Sequence, residues 1–161
     1  MSAVDGLRRS DAAAETESFG AALAPALAIG DVLTLHGPLG SGKTCFVTGL
    51  ARGLGVRGRV RSPSFGLIHE MSGRLPLAHV DLYRLAEREA EGLGLEELRE
   101  RAVLVVEWGE KLPSALRQDA LAIEFRMLGT DSRQICACAR GERGVALWNA
   151  WREIETPRRP A

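Results

Sequence analysis

With 161 residues, 45% of them hydrophobic, the chain is long enough for one well-filled core and too short for two. Lys plus Arg number 21 and so do Asp plus Glu, a balance that excludes the basic field of a direct, non-specific nucleic-acid binder, although a partner can still bring nucleic acid in. The opening MSAVDGLRRSDAAAETE holds no apolar signal segment, and no stretch approaches the ~18 apolar residues of a membrane span. The expectation is a soluble, cytoplasmic protein of one domain over residues 1–161, with 1–13 a flexible N-terminus.

Helices and strands alternate along the chain without internal repeats. TESFGAALAPALAIG puts Phe19, Leu23, Ala26 and Leu27 on one helical face, with Thr16 as N-cap, Gly30 as stop and Pro25 weakening the last turn. DVLTLH reads as a strand; past a glycine-rich stretch, Phe46, Val47, Leu50, Ala51 and Leu54 recur at helical spacing up to Gly55. A basic loop then leads into two extended runs, Phe65 to Met71 and Pro76 to Asp81, that turn at Ser72-Gly73. A short acidic helical patch covers about Glu87 to Arg101. AVLVVEW, 102–108, is a continuous apolar run, the pattern of a central strand covered on both faces. ALAIEFRML alternates, and with RQICACA beyond the Gly129-Thr130-Asp131 turn it predicts an antiparallel hairpin at the sheet's edge. Cys136 and Cys138 share a face of that second strand; no second Cys/His pair supplies further ligands, so the three cysteines read as reduced thiols. In the tail, Leu147, Trp148, Trp151 and Ile154 line one helical face as core cover rather than a docking patch.

The chemistry concentrates at Gly37-Pro38-Leu39-Gly40-Ser41-Gly42-Lys43-Thr44, which satisfies G-x-x-x-x-G-K-[ST] between a strand and a helix. Glycines let successive backbone N–H groups turn inward around an anion, and the helix N-terminus adds positive potential. Lys43 then bridges β- and γ-phosphate oxygens and the Thr44 hydroxyl ligates Mg²⁺. A turn that merely joins strand to helix is the weaker reading, because the full pattern and both flanks coincide. Two carboxylates end neighbouring strands: Glu107 closes Val103–Val106 and Asp81 closes LAHV. Either alone could be a solvated strand end; aimed at one crevice, one holds Mg²⁺ and the other orients or deprotonates a water. Ser62 and Ser64, in RSPSF, sit where a switch segment would sense the γ-phosphate. His36, His69 and His79 have no metal-site spacing, but His79 alternates with Asp81 and is placed to support the site.

The order GPLGSGKT, SPSF, LAHVDLYRL, VVEWGEKLP resembles the TsaE (YjeE) family, bacterial P-loop ATPases needed for threonylcarbamoyladenosine modification of tRNA. The resemblance implies an α/β three-layer P-loop fold with a mostly parallel central sheet, antiparallel edge strands and helices on both faces. It implies ATP and Mg²⁺ as cofactors, held by the loop residues Gly37, Leu39, Gly40, Ser41, Gly42, Lys43, Thr44 and Cys45, with Glu107 at the metal and Asp81 needed for hydrolysis. Ser62 and Ser64 fall in the switch-like segment, Trp108 follows the metal acid as a reporter, and Thr16 and Arg133 match positions flanking the nucleotide away from the phosphates. The implied partners are TsaD and TsaB counterparts, with tRNA reached through that pair; separately, the expectation for the chain alone is a monomer. The chain departs from the family pattern at Pro38 and Ser41, where Asp and Ala are common, at Ser64 for Thr, and at Gly109 for Pro.

Two enzyme classes and one binding class compete. A small-molecule kinase needs a lid that delivers arginines over the phosphates, and the candidate segment, Glu87 to Arg101, is short and acidic. A GTPase would carry a motif like N-K-x-D, but the chain's only asparagine is Asn149, with no lysine after it. A nucleotide-dependent adaptor that barely hydrolyses would use the same cradle and would tolerate loss of Asp81 or Glu107.

Overall fold

Alternating and helical burial build one layered domain in the computed structural model, which describes residues 6–61 and 67–154. The strands are β1 (Gly6–Ser10), β2 (Val32–His36), β3 (Ile68–Met71), β4 (Leu77–Asp81), β5 (Val103–Glu107), β6 (Leu121–Met127) and β7 (Arg133–Ala139). Among the described residues they form a seven-stranded sheet in the order β1-β7-β6-β2-β5-β4-β3. The inner strands β6, β2, β5 and β4 run parallel, while β7, β1 and β3 pair antiparallel with their neighbours. The helices are α1 (Ala13–Leu23), α2 (Lys43–Gly53), α3 (Glu87–Ala90), α4 (Leu95–Arg99), α5 (Ser114–Arg117) and α6 (Gly141–Glu153).

Strand alternation divides the core in two. Leu33, Leu35, Val103, Val105, Ile123 and Phe125 meet α1, α2 and α6, and Val32, Ala78, Val80, Leu104 and Val106 meet α3, α4 and α5. β5 is therefore buried on both faces, which is why it reads as an unbroken apolar run. Phe46 of α2 contacts Phe125 and Trp151 edge to face at 5.7 and 5.9 Å, and Trp151 Nε1 donates to the Phe19 carbonyl at 3.0 Å, so α6 closes the core over α1 and α2. Asp31, buried just before β2, receives Arg143 of α6 through two bonds of 2.6 and 2.8 Å. α1 and α2 touch backbone to backbone: a Cβ on Gly49 would fall 1.8 Å from the Glu17 carbonyl oxygen.

Five expectations change. Residues 6–10, inside the stretch expected to be flexible, form β1, paired from Gly6↔Ala137 to Ser10↔Arg133. The hairpin β6–β7 is thus not the edge: β1 covers it on one side and β6 pairs parallel with β2 on the other. Thr16 is not an N-cap. α1 begins three residues earlier, and the Thr16 hydroxyl, fully buried, lies 2.8 Å from Ser10 Oγ, which itself donates to the Ala12 carbonyl. Glu15 instead reaches back to the Asp11 amide at 2.8 Å. Nor does Gly30 stop the helix, which ends at Leu23 because Pro25 has no N–H to continue it and starts a 3₁₀ turn, Ala24–Ala26. The acidic patch is broken at Gly94, in the left-handed region at φ 69°, into two short helices rather than one.

Candidate nucleotide site

Three parallel strands, β2, β5 and β4, end side by side, and each delivers one part of the site at its C-terminal end. Between β2 and α2 the loop turns through Gly37, Gly40 and Gly42 at φ 145°, 76° and 109°, values that a side chain would oppose. Gly42 is the residue before α2, so the unpaired amides of the first helical turn face the cleft. The Lys43 ammonium donates to the Gly37 carbonyl and, at 3.2 Å, to that of Pro38, and lies 4.2 Å from the Trp108 ring centroid. Burial pushes Lys43 below the usual lysine range, against the upward pull of Glu107, Glu110 and Asp81.

Glu107 is buried, with both carboxylate oxygens occupied: Oε1 accepts from Thr44 Oγ1 and Oε2 from His79 Nε2, each at 2.9 Å. Asp81 stands directly beside it, in register across β4 and β5. It is more exposed, and its Oδ1 accepts the Tyr83 amide at 3.0 Å. Trp108 holds a left-handed backbone at φ 60° and packs on Tyr83 with ring centroids 5.0 Å apart, forming one wall. Arg133, at the start of β7, crosses above the loop: a Cβ on Gly42 would fall 2.7 Å from its Nη1. Cys45 Sγ meets the Ala13 carbonyl at 3.2 Å, and burial, then Glu17, raises its thiol pKa.

These groups enclose a cleft of about 290 Å³ lined by Leu39, Gly40, Ser41, Gly42, Lys43, Thr44, Cys45, Asp81, Glu107, Trp108, Arg133 and Ala13. Gly37 lies at the base of the loop, where its carbonyl holds Lys43. Thr16 points away, into its contact with Ser10, and does not line the cleft. Ser62 and Ser64 lie outside the described residues. The sequence did not single out Ala13, and Tyr83 figured there only as part of LAHVDLYRL, with no role at the site. A larger hollow of about 580 Å³ between α4 and α5 is lined by Glu91, Glu96 and Glu97 with no cation, so size does not mark the site.

The residues present fit a magnesium nucleotide. The Thr44 hydroxyl and the Glu107 carboxylate meet at the cleft wall beside the phosphate loop, and oxygen donors of this kind suit Mg²⁺.

The family model described as "Threonylcarbamoyl adenosine biosynthesis protein TsaE" matches residues 10–135, a span from the end of β1 into β7 that includes every strand end of the cleft. The tRNA threonylcarbamoyladenosine biosynthesis protein TsaE of Bacillus subtilis is 47% identical over 116 residues, 71% of this chain and 73% of the relative. That of Treponema pallidum is 41% identical over 128 residues, 78% and 95% of the two. The crystal structure of Bacillus subtilis YdiB superposes with a TM-score of 0.78 at 37% identity, covering 95% of this chain and 97% of that one. The family model thus matches most of the chain, and relatives and a solved structure of that family share sequence and fold over most of its length; the chain belongs to the TsaE family.

Proposed function

We propose that this chain is an ATPase that supports formation of threonylcarbamoyladenosine in tRNA by acting on the TsaD–TsaB transfer complex, with tRNA reached through that complex. The observation that carries the reading is Glu107, which joins the phosphate-loop helix through Thr44 and stands in register with Asp81. ATP places its phosphates on the amides of Gly40 to Thr44, under Arg133, and Lys43 leaves the loop carbonyls for the phosphate oxygens. Thr44 and Glu107 hold Mg²⁺, which when bound neutralises charge on the β- and γ-phosphates. Buried Glu107, bonded at both oxygens, suits the metal side. Asp81, more open to solvent, orients the attacking water.

The same geometry weighs against a small-molecule kinase. The segment that would have to close as a lid is pinned by buried Leu95 and Leu98 to the sheet face opposite α2. Slow turnover alone is expected, because no second arginine besides Arg133 lines the cleft among the described residues and a partner can complete the site.

The test is ATP turnover by the purified chain, alone and with its TsaD and TsaB counterparts, in wild type and Glu107→Ala. Stimulation by the pair that disappears in the variant is the expected result. Equal turnover with and without partners refutes action on that complex, and tight ATP binding with no turnover in either setting turns the reading to an adaptor.

A further inference from the structure

We propose that His79 is a positioning residue whose single hydrogen bond sets the orientation of Glu107 and, through it, the Mg²⁺ dependence of nucleotide binding. The inference rests on the reading of the cleft as a magnesium-nucleotide site. His79 lies in the middle of β4 with none of its surface exposed, on the face that also carries Asp81. Its register partner on β5 is Val105, so the ring reaches two residues along that strand, on the same face, to Glu107, where Nε2 lies 2.9 Å from Oε2. Its other nitrogen, Nδ1, is buried without a partner among the described residues.

An apolar side chain would fill this position, between Leu77 and the wall of Val105, without leaving a buried nitrogen unpaired. The imidazole's one polar return is its bond to Glu107. Because a carboxylate only accepts, Nε2 carries the hydrogen, and the bond fixes the tautomer as well as the ring. Thr44 holds Oε1 from α2 while His79 holds Oε2 from β4. With both oxygens tied to different elements, the carboxylate plane cannot rotate, and the remaining lone pairs keep one direction toward the cleft. Outer-shell bonds of this kind set metal affinity by orientation rather than by added charge.

The test compares the full chain with His79→Leu, which removes the bond, and His79→Gln, whose amide nitrogen takes the place of Nε2. ATP binding is measured by isothermal titration calorimetry in EDTA and across a Mg²⁺ series, with thermal unfolding as the check on folding. In His79→Leu the affinity in EDTA is expected to stay within about twofold, while the Mg²⁺ concentration for half the metal-dependent gain rises about 10–100-fold; His79→Gln returns it to within about threefold. An unchanged Mg²⁺ midpoint in His79→Leu overturns the proposal, as does an equal loss in both variants with and without Mg²⁺, the mark of a merely structural role. Should His79→Leu not fold, His79→Asn, whose shorter amide does not reach Oε2, replaces it, and equal midpoints for Asn and Gln overturn the proposal. A wild-type chain that gains nothing from Mg²⁺ also overturns it, whereas one that binds no ATP at all refutes the reading of the cleft before any variant is compared.

Discussion

Gly49→Ala is expected to destabilise the fold, although alanine is the better helix former by up to about 1 kcal/mol. Gly49 lies within α2 where α1 crosses it, and the added Cβ would fall 1.8 Å from the Glu17 carbonyl oxygen and 2.7 Å from Glu17 Cα. Ordinary carbon–oxygen approach is about 3.3 Å, so the two helices must part by roughly 1.5 Å. The neighbour is backbone, which has no rotamer to yield. Overpacking of this kind costs about 1–3 kcal/mol, and the upper end applies here, so about 2 kcal/mol remains after the propensity gain. That raises the unfolding constant about 30-fold and lowers Tm by about 4–8 °C for a domain of this size. Urea denaturation followed by circular dichroism measures it. Gly92→Ala is the control: Gly92 has open space around it and no left-handed backbone, and alanine there should be neutral or stabilise by up to about 1 kcal/mol. Equal or greater stability for Gly49→Ala would refute the close approach of α1 and α2.

Two further outcomes probe the cleft. Of the three tryptophans, Trp148 and Trp151 lie in α6 while Trp108 lines the cleft and carries the Lys43 ammonium over its ring, so ATP should change the emission of wild type and not of Trp108→Phe. Loss of one such cation–π contact, worth about 0.5–1 kcal/mol, should alter ATP affinity by less than about fivefold; a signal that survives in Trp108→Phe places the reporter elsewhere. Cys45 has a raised pKa, chiefly from burial, so at pH 8 it holds less thiolate than a free thiol and should alkylate more slowly, with the difference closing as pH rises past its own pKa. ATP should slow it further, read as the modified Cys45 peptide by mass spectrometry; labelling indifferent to ATP would take Cys45 out of the nucleotide cleft.

Sequence alone carried the features whose causes are local. Gly37 to Thr44 is legible because the turn's left-handed backbone demands glycine at fixed places and the flanking strand and helix each have their own periodicity. β5 is legible because burial on both faces leaves no polar position before Glu107. What escaped were contacts made by backbone, or between residues far apart in the chain. β1 pairs through amides and carbonyls that GLRRS does not advertise, with Leu7 more than half exposed, so the edge of the sheet moved one strand out from β7. Thr16 has the side chain of a helix cap, but β1 brings Ser10 to it and its hydroxyl is used there.

The site shows the same division. The sequence by itself determined the chemistry available: an anion cradle, a lysine, a threonine hydroxyl and two strand-end acids. Only the tertiary structure decided how they act on one another, because sheet register is a long-range property. Register set Asp81 beside Glu107, brought His79 to the second oxygen of that acid, and carried Arg133, 91 positions beyond Gly42 in the numbering (133 − 42), across the loop. Hydrogen bonds and close packing between strands and helices make those choices, and they exist only once the sheet is assembled.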